Sequence, residues 1–196
     1  KVVIAGPVGV GKTTAVRAAS DVPVRDTEAR PSDETRALKT STTVALDFGV
    51  TRLDEGRVVH LYGTPGQRRF DFMWDIVLAG SAGVMLLVDG SDPDAPDGLD
   101  PYLAAFAPLL AERRFALGVT RLPDGGGARR LERHRDRLGD AGTRVPVLEI
   151  DPRSRFDVHV LIRALLASCE GGERGREERS SARAASVAAR SEVASR

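Results

Sequence analysis

The sequence predicts an α/β fold, a mixed six-stranded sheet flanked by helices. Three observations predict it. Strand-like and helix-like segments alternate along the chain. A short apolar run, Lys1–Ala5, leads directly into a glycine-rich loop and then a helix. Further on, Gly83–Asp89 is nearly continuous in apolar residues, as in a parallel strand buried on both faces.

The elements follow in order. Lys1–Ala5 is the first strand and Lys12–Ser20 the first helix. Asp21–Ser41 is polar, contains Pro23 and Pro31, and reads as a long exposed loop. Thr42–Leu53 and Arg57–Tyr62 are rich in strand formers and are separated by Asp54-Glu55-Gly56, a hairpin signal that makes an antiparallel edge. Arg68–Leu78 carries Phe70, Met73, Trp74 and Val77 at helical spacing, which leaves Phe72 as a candidate for an exposed partner surface. Leu99–Glu112 is expected to be helical, with Pro101 near its start and Pro108 inside it. Arg114–Val119 is a strand, Ala128–Leu138 a charged helix and Arg144–Ile150 the last strand. Arg155–Glu170 is expected to close the domain, with Val158, Leu161, Ile162, Leu165 and Leu166 on one stripe. Residues 1–170 thus make one domain, and 171–196, charged and poor in aliphatic anchors, read as a disordered tail.

The loop after the first strand carries the chemistry. Gly6-Pro7-Val8-Gly9-Val10-Gly11-Lys12-Thr13 satisfies G-x-x-x-x-G-K-[ST], and it stands between a strand and a helix, the context the motif requires. Such a loop wraps backbone N–H groups around a polyphosphate at a helix N-terminus. Lys12 is placed to reach the β and γ phosphates, and the Thr13 hydroxyl to hold Mg²⁺, with Thr14 following. With the strand order this predicts a P-loop NTPase of the small-GTPase type.

Composition narrows the class. Lys and Arg total 29 against 28 Asp and Glu, a balance that argues against a nucleic-acid binder, which carries a basic stripe. The single cysteine, Cys169, excludes an intrachain disulfide and fits a reducing, cytoplasmic location. No apolar run reaches the length of a transmembrane segment. His60, His134 and His159 lie at no metal-ligand spacing, so zinc is not indicated.

A phosphate loop needs partners that sense the γ-phosphate and position water. Gly63-Thr64-Pro65-Gly66-Gln67 follows the third strand: Gly66 has no Cβ to block its N–H from the phosphate, and Gln67 could orient the attacking water. Thr40, Thr42 and Thr43 precede the second strand. Thr43 is the first choice for a hydroxyl on Mg²⁺ and Thr42 the second, although β propensity alone would also explain the cluster. Arg25, Arg30 and Arg36 are candidates for an arginine supplied in cis, or solvated loop charges. Asp89 is either a magnesium anchor or a cap for the turn that follows, and Asp47 reads as an edge residue of its strand.

These stretches resemble the bacterial Ras-like small GTPases, the actinomycete conservon ATP/GTP-binding proteins above all, which are relatives of the gliding-motility GTPase. The resemblance covers roughly residues 1–170 and rests on GPVGVGKTT at 6–14, KTSTTVALDFG at 39–49, LYGTPGQRRFDFMWD at 61–75 and GVMLLVDGS at 83–91. It implies a GTP/GDP-dependent switch that hydrolyses GTP slowly with Mg²⁺, with Thr43 in switch I and Gly66 and Gln67 in switch II. It also implies a roadblock-fold regulatory partner and a membrane sensor histidine kinase complex, with no nucleic acid. Two departures stand out. Gly63 occupies the position where Ras-like proteins carry an Asp that holds a magnesium-bound water, as it does in the conservon group, so Mg²⁺ is held more loosely or another carboxylate substitutes. The guanine-reading Asn-Lys-x-Asp is replaced by Thr120-Arg121-Leu122-Pro123, with Asp124 one residue late and Asp151 after the last strand as a further pocket candidate. The alternative is therefore a degenerate nucleotide- or ATP-binding regulatory module without guanine specificity. A small-molecule kinase is the third reading, opposed by the Gly-Thr-Pro-Gly-Gln loop.

Overall fold

The computed structural model describes residues 1–26, 46–66, 74–123, 127–172 and 174. Its sheet has the order β2-β3-β4-β1-β5-β6-β7. The strands are β1 (Val2–Ala5), β2 (Arg25–Asp26), β3 (Asp47–Arg52), β4 (Val58–Gly63), β5 (Gly83–Asp89), β6 (Phe115–Thr120) and β7 (Val147–Glu149). Six of these correspond to the expected strands. The seventh, β2, is a two-residue edge strand that pairs antiparallel with β3, Arg25 opposite Phe48. Two residues carry no periodicity, so only pairing reveals it.

β1 lies at the centre, parallel to β4 on one side and β5 on the other. β3 runs antiparallel to β4 through the expected hairpin, and its first residue, Asp47, stands opposite Gly63, the last residue of β4. The C-terminal ends of the parallel strands and the N-terminal end of β3 therefore share one edge of the sheet, where ligands bind in open α/β sheets.

Period-two alternation sorts the strands between two cores. Val2, Ile4, Met85, Leu87 and Ala116 face α1 (Lys12–Ala19) and α6 (residues 155–172), where Ala15, Val16, Leu161, Ile162 and Leu165 are buried. Val3, Ala5, Val84, Leu86, Val88 and Leu117 face the other layer. That layer contains α2 (Trp74–Leu78), α3 (Asp100–Ala105), α4 (Ala107–Ala111) and α5 (Gly127–Leu138). The single helix expected over Leu99–Glu112 is two, broken at Phe106. Pro108 has no N–H to continue the ladder and sits in the first turn of α4, where none is needed. The break turns Phe106 wholly inward, against Trp74 at 5.0 Å and Phe115 at 6.4 Å between ring centroids.

α6 extends to residue 172, beyond the boundary expected at Glu170; most of the segment expected to be a tail lies outside the described residues. Ion pairs Arg57–Glu170 and Arg163–Asp54 join α6 to the β3–β4 hairpin. Both are exposed, and such pairs contribute little to stability.

Truncating the aromatic hub tests this packing. Phe106→Ala is expected to lower the free energy of unfolding by about 3–5 kcal/mol in urea denaturation.

Candidate functional site

The loop between β1 and α1 is shaped by positive φ angles that glycine tolerates. Gly6 has φ +139°, and a Cβ there would stand 2.2 Å from the Leu87 carbonyl oxygen, so the chain can leave β1 beside β5 only as glycine. Gly11, at φ +104°, caps α1 and lies against Pro152, which a Cβ would meet at 2.7 Å. Pro7, Val8 and Gly9 are exposed along the loop, whereas Val10 turns its side chain into the core. Val10 therefore offers a ligand only its backbone.

Lys12 is 7% exposed and donates from Nζ to the carbonyls of Gly6 at 2.9 Å and Pro7 at 2.6 Å. Burial lowers its ammonium to about 8, against the pull of the Asp47 carboxylate, which raises it. Gly66 covers it. A Cβ on Gly66 would lie 2.7 Å from Lys12 Nζ and 2.6 Å from the Val8 nitrogen. The loop that carries Gly66 is anchored by Thr64, whose N–H donates to the Ile4 carbonyl at 2.9 Å.

The residue that sequence reasoning missed is Asp47. Its Oδ2 accepts a hydrogen bond from Thr13 Oγ1 at 2.5 Å. A Cβ on Gly63 would stand 3.0 Å from that same Oδ2. Asp47 thus fills the space beside Gly63, and the two positions cannot both carry large side chains. Among the described residues no group of three His, Cys, Asp or Glu side chains gathers as a metal site.

Asp89 caps the turn after β5. Its Oδ1 accepts from the Ser91 N–H at 2.9 Å and hydroxyl at 2.6 Å, and its Oδ2 from Arg121 Nη1 at 2.5 Å. Partial desolvation pushes its pKa up, but these bonds outweigh that and leave it below the ordinary value. Arg121 has φ +54° and also donates to the Gly9 carbonyl at 2.6 Å, so it clasps β5 to the phosphate loop. Thr120 is fully buried, and its hydroxyl donates to the Val88 carbonyl at 3.1 Å. It braces the strand ends.

A cleft of ≈ 830 Å³ runs from Gly9, Gly11 and Thr14 past Arg121 and Leu122 to Glu149, Asp151, Arg153 and Phe156. Asp151 lines it, and its carboxylate accepts from the Arg153 side chain and N–H, which hold its pKa low. Thr43, Gln67 and Asp124 lie outside the described residues, as do Thr40, Thr42, Arg30, Arg36 and Phe72.

The same α/β arrangement occurs in solved structures. The G domain of the T. maritima FeoB iron transporter superposes with TM-score 0.56 at 20% identity, covering 85% of this chain and 96% of that one. The fold is that of a G domain. The FeoB cytosolic domain in its GMPPNP form superposes with TM-score 0.56 at 17% identity, covering 85% of this chain and 62% of that one. At these identities the likeness shows the fold alone. No family model matches. An uncharacterized protein of Methanocaldococcus jannaschii is 32% identical over 119 residues. The match takes in 61% of this chain and 66% of that protein's length, just under two thirds.

The Lys12 environment has a direct readout, because the chain holds three lysines. In ¹³Cε-detected NMR of the ligand-free protein, one lysine signal is expected to titrate near 8 and to vanish in Lys12→Arg. The folded value lies below the unfolded one. The unfolded chain therefore binds the extra proton between about 8 and 10.5, and stability rises with pH across that window.

Proposed function

We propose that the protein is a GTPase-type switch that binds a guanine nucleotide with Mg²⁺ and hydrolyses GTP slowly. The observation that carries the reading is the stacked arrangement of Lys12 under Gly66, beside the Thr13–Asp47 pair, with the flanking residues Gly11 and Thr14 lining a cleft large enough for a nucleotide. The G-domain fold supports it.

The ligand-free Lys12 is held by two carbonyls, which a polyphosphate would replace with full negative charges. The glycine-shaped loop offers its backbone N–H groups to the β-phosphate. Gly66, which lies over Lys12 where a side chain would collide with the ammonium, presents its own N–H to the γ-phosphate. Gln67, the next residue, orients water for in-line attack, and the charge that develops is met by Lys12. The Thr13 hydroxyl and Asp47 carboxylate are hard oxygen donors, and their 2.5 Å contact brings them to one point beside the phosphate loop, so they fit Mg²⁺ with Thr43 as a further ligand. Bound there, the ion would neutralise charge on the β- and γ-phosphates.

The resemblance to conservon GTPases extends the proposal to a signalling role with a roadblock-fold partner and a sensor histidine kinase. Among the described residues no helix is long and apolar enough to cross a membrane. A second reading, a regulatory module with no base preference, is favoured by Pro123 standing where a guanine-reading Asp is expected.

Calorimetry of the full chain with GTP, GDP, ATP and ADP, with and without Mg²⁺, tests the proposal. Tight GTP and GDP binding with ATP about a hundredfold weaker supports the switch, equal affinities select the second reading, and no binding rejects both. Lys12→Ala is expected to weaken every nucleotide about a hundredfold. Asp47→Asn is expected to remove most of the gain due to Mg²⁺ and to leave binding in EDTA within about threefold. Affinity is expected to fall about tenfold from pH 7 to pH 9 for either purine, because bound phosphate requires the protonated Lys12 that the free protein loses above about 8.

A further inference from the structure

The carboxylates of the cleft are not equivalent. Asp151 is held by Arg153, and Asp157 accepts from the Asp151 N–H at 2.9 Å and the Ser154 hydroxyl at 3.0 Å. The carboxylate of Glu149, at the end of β7, has no hydrogen-bond or ion-pair partner among the described residues, yet Glu149 lines the same cleft. Its backbone is registered beside Val119 of β6, which places it next to the loop where a base-reading residue is expected. Its Oε2 and the Leu122 side chain both lie within 4 Å of the point where a side chain on Gly127 would begin.

A second observation points the same way. Phe156, in the first turn of α6, is 73% exposed and also lines the cleft. The core does not use its ring. A planar aromatic base covered by Phe156 and by the apolar side chain of Leu122 would remove that ring from water.

We propose that Glu149 is the guanine-reading carboxylate of this protein, with Phe156 and Leu122 against the faces of the base. The inference rests on the nucleotide-binding reading above and assigns its specificity. Guanine presents two adjacent donors, N1–H and the 2-amino group, which match the two oxygens of an ionised carboxylate. Adenine presents an acceptor at N1, which a carboxylate repels. Glu149 thus takes over the function that Pro123 cannot perform, from the neighbouring strand.

The test is calorimetry of the full chain and of Glu149→Gln with GDP, ADP and xanthosine diphosphate. Xanthine replaces the 2-amino donor by a carbonyl, which a glutamine amide can meet while its oxygen still accepts from N1–H. The expected result is GDP weakened on the order of 30-fold, xanthosine diphosphate strengthened and ADP unchanged. Phe156→Ala, at an exposed position, is expected to weaken GDP about tenfold without lowering the melting temperature. If Glu149→Gln leaves the GDP to xanthosine diphosphate ratio unchanged, or if Asp124→Asn produces the switch instead, the assignment is overturned while guanine binding stands. Equal GDP and ADP affinity in the unaltered protein overturns the assignment and leaves nucleotide binding intact. Failure of all three to bind overturns both.

Discussion

A buried ammonium is the constraint on which this edge of the sheet depends. Lys12 cannot be buried without hydrogen-bond acceptors, and the Gly6 and Pro7 carbonyls that serve it are available only because the loop turns back on itself. That turn needs glycine at position 6, where the chain passes under Leu87. The same ammonium limits what lies above it, and Gly66 fits because it has nothing to bring closer. Two loops far apart in sequence are thus fitted around one charge, whose pKa is depressed by burial.

The second organising feature is an exchange across a strand pair. Antiparallel pairing puts Asp47 and Gly63 opposite each other. One carboxylate fits between β3, β4 and Thr13, and here it comes from β3. What matters to the hydroxyl of Thr13 is the oxygen at 2.5 Å and not the segment that carries it.

The far side of the cleft is built around the ends of β5, β6 and β7. Thr120 and Arg121 spend their polar groups on neighbouring strand ends and on the phosphate loop. The turn after β7 binds up its own carboxylates at Asp151 and Asp157. Glu149 and Phe156 remain facing the cleft without such employment.

The sequence by itself determined the layered α/β fold, six of the strands, the phosphate loop and the glycine cover, because each depends on local periodicity or on a contiguous motif. The break at Phe106 was foreshadowed by Pro108, but only packing against Trp74 and Phe115 settled where the chain turns. Asp47 read as an edge residue because Thr13, which donates to it, lies 34 positions away. The burial of Thr120 is set by β5 and the phosphate loop, which the local string does not contain. Which carboxylates are spent and which stay open was decided by tertiary structure alone. Hydrogen-bond partners are chosen by distance in space, and a strand crossing can bring together residues that the chain keeps a hundred positions apart.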